Sequence, residues 1–377
     1  MDGLFDFEQI LRPLHSNVSR DNKASDSILL QDDLEGNAAG VGTLAVVAGL
    51  FERSVAPVVV IAGLIGNLIA LFVFSERSMQ RRSSNVYLTG ISLAGVGFLA
   101  CVTLSWTAHT SINVYEFDGA CQILTYVTYV SSFLGVWYVV CFTVERYVAV
   151  HYPLRRLSLC TATKARRTVI ALALFAGVAY HYAAWTSGVI EPWPGGGRIC
   201  VPQRRYTPVM SVVYVVDTVV TLLLPFVVIT LLNVRIAVTV FRHNRDRQAM
   251  ASRAVPLRRY TWTAFDHDRD RLRLRRYIRT HVGHRRSPND QFRVTKLLLT
   301  ISVAFLALNL PRHATRAYNL AASAADDHYR PSLTFLACEK LFNVVYYTHF
   351  AVNIVLYAAV SGKKFRSALR RRCRGLC

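Results

Sequence analysis

Apolar stretches of twenty or more residues recur along the chain, each long enough to cross about 30 Å of hydrocarbon as a helix. A soluble chain of 377 residues would divide into roughly two or three domains whose elements alternate polar and apolar faces. Here 53% of the residues are hydrophobic and the apolar runs are continuous, so the fold class is an all-α, polytopic membrane protein. That excludes a secreted disulfide scaffold and a cytosolic enzyme. It also removes DNA binding as the default, although 44 Lys and Arg stand against 23 Asp and Glu.

Seven spans are expected, at about 54–75, 84–109, 120–150, 168–190, 208–241, 293–322 and 333–360. The run Val41–Phe51 is too short for an eighth span, and Glu52-Arg53 separates it from the first. It is read as an outward extension of that helix. Residues 1–33 scatter acids and polar groups and have no apolar core, so the first span is expected to serve as signal anchor. The expected organisation is an extracellular segment 1–53, a bundle 54–360 with a long basic intracellular loop at 242–292, and a cytoplasmic helix and tail at 361–377.

An odd number of spans puts the termini on opposite sides, and the basic residues decide which is inside. With the N-terminus outside, inner segments hold sixteen Lys and Arg over Arg242–Lys296, five between spans three and four, and seven after Gly362. The N-terminal segment holds four, with nine acids. The basic excess is then cytoplasmic, and its electrostatic partner is the anionic inner leaflet. Tyr260 and Trp262 interleave with arginines in the long loop. That pattern can bind RNA, but the positive-inside rule accounts for it without a nucleic-acid partner.

Several motifs fall at mutually consistent places. The first span has Gly66-Asn67, the third has Cys121 near its start and Glu145-Arg146-Tyr147 at its end, and Tyr152-Pro153-Leu154 follows. Pro225 interrupts the fifth span and Pro311 the sixth, and Asn353-Ile354-Val355-Leu356-Tyr357 ends the seventh. In this order the chain resembles the rhodopsin-like G-protein-coupled receptors over about residues 54–372. Leu308–His313 and Tyr346–Asn353 are similar to the matching stretches of arthropod neuropeptide receptors. The resemblance implies a seven-transmembrane bundle with a short amphipathic eighth helix, here Lys363–Arg372. It implies a switch and G-protein coupling site of Glu145, Arg146, Tyr147, Asn309, Pro311, Asn353 and Tyr357. It also implies a disulfide between Cys121 and Cys200. Cys373 and Cys377 are candidates for palmitoylation, and Asn17 in the one Asn-x-Ser sequon is a candidate for glycosylation.

The switch has a physical rationale of its own. Arg146 is costly near the hydrocarbon boundary unless paired, and Glu145 is the adjacent partner. Pro225 and Pro311 each release a backbone carbonyl and give their helices a hinge. The sixth-span acid that restrains this arginine in many relatives is Gln291 here, beside Asp290, so some ligand-independent activity is expected.

Departures from the family pattern are as informative. The second-span aspartate is Gly95 and its third-span serine partner is Gly135, which removes a charge and a hydroxyl from the sodium site many such receptors use. Ala173, Asn233 and Asn309 stand where aromatic residues are usual, and Ile354 follows Asn353 in place of proline.

Thr128 at the third-span position that amine receptors fill with an acid argues against an amine ligand, and Tyr347 in place of the Schiff-base lysine excludes retinal. The candidate ligand residues are Trp106 and His109 in the second span, Thr128, Asp217 in the fifth, Arg312, His313 and Arg316 in the sixth, and Glu339 and Asn343 in the seventh. Arg312, His313 and Arg316 share one helix face. An internal ion pair, for instance Asp217 with Arg312, is the packing alternative to ligand contact. A cavity of both signs suits a short amidated peptide with polar and aromatic side chains. No nucleophile, metal cluster or paired-carboxylate arrangement lies in the spans, so no enzyme and no cofactor is implied. The other readings are a peptide-binding receptor that does not couple and, behind it, a small-solute transporter, against which stands the lack of an internal repeat.

Overall fold

The computed structural model describes residues 28–106, 114–191, 198–253, 288–325, 331–354, 357, 367–371 and 373–374. Seven long helices carry the described fold: α1 (Ile28–Phe74), α2 (Ser83–Ser105), α3 (Ala120–His151), α4 (Ala162–Ala179), α5, α6 (Pro288–Ala325) and α7 (Leu333–Ala351). The fifth, α5, is α-helical over Thr207–Thr218 and Leu224–Arg253, with a π turn at Val219–Leu223 between them. That turn lies just before Pro225, where the missing N–H and the ring disturb the regular ladder.

Local signals set several helix ends. Thr161 accepts from the Lys164 N–H at 3.3 Å to start α4, and Ser332 accepts from the Phe335 N–H at 3.2 Å to start α7. Gly119, at φ 86°, supplies the left-handed residue before α3, and its N–H donates to the Gln122 side chain at 2.6 Å.

Among the described residues, five stretches are long and apolar enough to cross a membrane: Thr43–Phe74, Ser83–Ser105, Ala120–His151, Ala162–Thr186 and Val212–Arg242. In α7 the polar groups Glu339, Lys340 and Asn343 lower the mean hydropathy, whereas in α6 Arg312, His313 and Arg316 follow an apolar run, 297–310. In α4 only Ala165 and Ala176 are buried, while Leu174 and Val178 are largely exposed. An apolar helix so little covered by protein is suited to a hydrocarbon solvent.

Three clusters hold the helices together. One joins Phe74, Tyr87, Phe142, Ile229, Phe305 and Tyr357 near the Arg146 end. A second sets Val60, Phe98 and Leu99 against Val344, Tyr347 and Phe350, closing α7 on α1 and α2. The third packs Tyr129 and Phe133 of α3 on Ala176 and Tyr180.

The helices differ from the expected spans at several ends, among them the start of α4 at Ala162 in place of 168. Helix α1 starts at Ile28 and runs without a break through the Val41–Phe51 stretch. The fourth span was expected to reach residue 190, but α4 ends at Ala179, a short turn Tyr182–Thr186 follows, and 187–190 is a strand. Strands β1 (Ser187–Ile190) and β2 (Ile199–Pro202) form an antiparallel hairpin in register Ser187↔Pro202 to Ile190↔Ile199. The run Ser187-Gly188-Val189-Ile190 continues the apolar pattern of the helix, and only pairing with β2 distinguishes it. Past α7, Ser367–Arg371 is helical, with Ala368 fully buried and Leu369 packed on the first cluster. Arg371 there holds both carboxylate oxygens of Glu76 at 3.1–3.2 Å.

Candidate functional site

A cavity opens between α2, α3, α5, α6 and α7 on the side of the disulfide. Its empty space, counted out to the mouth and including the open solvent there, is about 810 Å³. Cys121 at the start of α3 is bonded to Cys200 on β2, with Cα atoms 5.6 Å apart, so the hairpin is tied to the α3 end beside the cavity.

Each wall follows from a helical repeat. From α3 come Thr128, Tyr129, Ser132 and Phe133, from α2 Phe98 and Val102, and from α7 Asn343, Tyr346 and Tyr347. Helix α6 contributes Arg312, His313 and Arg316, and α5 contributes Asp217 and Thr221. Tyr115, from a short turn after α2, completes the lining, and burial raises its phenol above the ordinary range.

The charges are paired across helices. Arg312 Nη1 lies 2.8 Å from Glu339 Oε1, joining α6 to α7. Arg316 Nη1 lies 3.2 Å from Asp217 Oδ2, joining α6 to α5, and the Tyr180 hydroxyl donates to Asp217 Oδ1 at 2.6 Å. This corrects the expected pairing of Asp217 with Arg312: one turn of helix separates the two arginines, and the later one reaches α5. Arg316 also lies 5.2 Å from the Tyr214 ring centroid, a cation–π contact. His313 stands edge-on to Tyr346 with centroids 6.1 Å apart, and the Tyr346 hydroxyl hydrogen-bonds Ser132 at 2.8 Å.

Six of the nine candidate ligand residues therefore line this cavity: Thr128, Asp217, Arg312, His313, Arg316 and Asn343. Glu339 sits behind Arg312. Trp106, at the end of α2, packs on the second cluster and is not in the lining. His109 lies outside the described residues, as do Asn17 and Cys377. Sequence reasoning missed the aromatic walls, Phe98, Tyr129, Phe133 and Tyr346 above all. A step of three from Asn343 would have found Tyr346, whereas Tyr129 and Phe133 lie one and five residues from Thr128, off that stride.

The opposite end holds the Glu145-Arg146-Tyr147 group. Arg146 Nη2 meets Glu145 Oε1 at 2.9 Å, both residues are buried, and the guanidinium lies 5.3 Å from the Phe142 centroid. Ser83 at the start of α2 donates to the same Glu145 oxygen at 2.9 Å. Tyr147 stacks on His151 at 4.1 Å, and His151 reaches Thr239 of α5 at 3.0 Å. Cys160 packs beside this group, and burial, with a further contribution from the Glu145 carboxylate, raises its thiol above the ordinary range.

Between the two ends the interior joins buried asparagines to aromatic rings. Asn67 Nδ2 donates to the carbonyls of Gly63 and Phe350, both at 2.8 Å, and Asn353 Nδ2 approaches the same Phe350 carbonyl at 3.4 Å. Asn309 donates to the Phe305 carbonyl at 2.6 Å, one turn before Pro311. Tyr357 is buried edge-on to Phe74, centroids 5.3 Å apart. Among the described residues no group of three or more His, Cys, Asp or Glu is placed to hold a metal.

Comparison with known proteins adds an independent line. A family model described as the seven-transmembrane receptors of the rhodopsin family matches residues 66–357. The thyrotropin-releasing hormone receptor of Ovis aries is 24% identical over 320 residues, covering 82% of this chain and 75% of the relative. Apelin receptor B of Danio rerio is 28% identical over 120 residues, covering 31% of this chain and 33% of the relative. Proteinase-activated receptor 1 of Xenopus laevis is 32% identical over 116 residues, covering 30% and 28%.

Proposed function

The chain belongs to the rhodopsin family of seven-transmembrane receptors, and from that premise we propose that it binds an extracellular peptide and activates a heterotrimeric G protein. The observation that carries the reading is the cavity, which combines two cross-helix ion pairs with aromatic walls and a disulfide-tethered hairpin beside its mouth. Paired charges beside aromatic rings suit a chain of amides bearing polar and aromatic side chains. The relatives named for a releasing hormone and for apelin support the same class of ligand. It is not an enzyme.

In this reading the disulfide end and the N-terminus face the outside of the plasma membrane, and the Arg146 end faces the cytoplasm. The distribution of Lys and Arg supports that orientation. Peptide bound among α3, α5, α6 and α7 shifts α6 about Pro311, frees Arg146 from Glu145, and opens the cytoplasmic end to the G protein. Ser367–Arg371, with its buried Ala368 and outward Arg370 and Arg371, belongs to a short amphipathic segment on the inner leaflet, and exposed Cys373 is placed for a lipid anchor.

The test is a neuropeptide library applied to cells expressing the chain, with calcium and cAMP readouts. At least one peptide is expected to give a saturable response in expressing cells alone. Saturable peptide binding with neither response would instead support a receptor that does not couple, and solute uptake would support a transporter.

A further inference from the structure

The cavity holds two arginines, yet neither is offered to a ligand as a bare cation. Each arginine of the lining is paired with a carboxylate of a neighbouring helix, Arg312 with Glu339 and Arg316 with Asp217. Each pair is closed: 2.8 Å for Arg312–Glu339 and 3.2 Å for Arg316–Asp217, with the four side chains only 7–17% exposed. The remaining polar lining is neutral hydroxyl, amide and imidazole, as in Thr128, Ser132, Asn343 and His313.

From this balance we infer that Glu339 and Asp217 are specificity-determining counter-ions: they reserve Arg312 and Arg316, so the end of the ligand that enters the cavity carries no net charge. The inference rests on the peptide-receptor reading above and deepens it. A carboxylate entering the cavity gains Arg312 only by displacing Glu339. That leaves a carboxylate buried without its cation, an unfavourable exchange inside a low-dielectric bundle. An ammonium meets the mirror problem, because both carboxylates are already engaged. A neutral amide meets neither. It accepts from guanidinium N–H groups and donates to carboxylate lone pairs that the ion pair leaves unused, since a guanidinium carries five donors and a carboxylate about four acceptor positions. The selection works by exclusion, and the arginines serve as fixed hydrogen-bond donors.

The two pairs are not equivalent. Asp217 is gripped from two sides, by Arg316 and by the Tyr180 hydroxyl at 2.6 Å. The one hydrogen bond shown for Glu339 is to Arg312. Removing charge from Glu339 therefore releases an arginine with the least disturbance elsewhere.

The experiment uses the full-length receptor in cells and a synthetic peptide panel. Every sequence is made in four forms, with the N-terminus free or acetylated and the C-terminus as amide or free acid. On the wild-type receptor each active sequence should be at least tenfold more potent with the inserted end blocked. Glu339→Gln keeps the size and an acceptor oxygen but removes the counter-ion. It should improve the free acid at least tenfold relative to its amide. Adding Arg312→Gln to that variant should cancel the gain, which a merely structural role for Glu339 would not produce. Surface expression is measured for every variant. Equal potency of blocked and free forms at both ends on the wild type, or, where the C-terminus is the inserted end, an acid-to-amide ratio unchanged by Glu339→Gln at normal expression, overturns the inference while leaving the peptide reading intact. If no form of any sequence activates the receptor, the peptide reading falls and this inference falls with it.

Discussion

Arg146 is the residue whose surroundings say most about signalling. Its guanidinium is held by Glu145 at 2.9 Å, and Glu145 is held in turn by the Ser83 hydroxyl at 2.9 Å. Loss of Arg146 should thus disable the switch more than the fold. Arg146→Ala is expected to abolish G-protein activation while surface expression and peptide binding stay near wild type. Glu145→Gln should raise basal signalling, and Ser83→Ala should raise it less. The serine contributes one hydrogen bond worth about 1 kcal/mol, which shifts the active population up to roughly fivefold. Basal second-messenger levels at matched surface expression check all three; an Arg146→Ala variant that signals normally would refute the switch. The adjacency of Glu145 and Arg146 was legible in the sequence. Ser83 was not, because a hydroxyl on another helix has no sequence signature until α2 and α3 are packed together.

Glycines at Gly95 and Gly135 show how far a departure can be read without coordinates. As sequence they are missing ligands. In the structure they are the room that two other side chains occupy. A Cβ added at Gly95 would lie 2.8 Å from Asn67 Oδ1, and one at Gly135 would lie 3.2 Å from the Phe350 ring. Gly95→Ala should therefore push Asn67 off the carbonyls of Gly63 and Phe350 and destabilise the bundle by about 1–3 kcal/mol, read as a lower inactivation temperature of the detergent-solubilised receptor. A variant as stable as wild type would mean that Asn67 does not depend on the glycine.

At the scale of elements, α3 and the β1–β2 hairpin are coupled by Cys121–Cys200, which closes a loop of 79 residues. In a free chain such a closure is worth up to about 4–5 kcal/mol, and here it also fixes the hairpin beside the cavity. Cys121→Ser and Cys200→Ser should each reduce surface expression and ligand binding, and the double variant should be no worse than either single one. Flow cytometry and saturation binding measure this; additive losses would show that each cysteine acts separately. Seven spans were expected from apolar runs, and both prolines stand in the sequence itself. The hairpin was not, since its first strand prolongs an apolar run, and neither was the early start of α4, where Lys164, Arg166 and Arg167 dilute the apolar signal while the Thr161 cap fixes the helix start. The π turn ahead of Pro225 was likewise hidden: proline announces a disturbed ladder, but its form depends on the packing around it.

For the molecule as a whole, the question is what joins the cavity to the Arg146 end. Gly95 and Gly135 remove a charge and a hydroxyl from the sodium site expected of the family pattern. Here that place is built from carbon and amide. Phe350 stacks on Phe98 at 4.1 Å and 14° and reaches Gly135, while Asn67 lies over Gly95 and ties α1 to α7 through the Phe350 carbonyl. Among the described residues, helices α1, α2, α3 and α7 thus meet with no carboxylate to draw a cation, and the oxygens left there, Asn67 Oδ1 and Ser92 Oγ, are neutral. Phe350 stands on α7 between Asn343 and Asn353 and bonds Asn67 through its carbonyl, so a shift of α7 at the cavity is expected to be carried by this packing. Agonist affinity should accordingly be the same in sodium chloride and in choline chloride at equal ionic strength, with both showing only ordinary screening. Phe350→Ala, which removes the ring and leaves the asparagines, should weaken the coupling of binding to signalling without creating sodium sensitivity. A clear difference between sodium and choline in the wild-type receptor would show that a cation enters the bundle somewhere else, and that the packed centre is not the only path between its two ends.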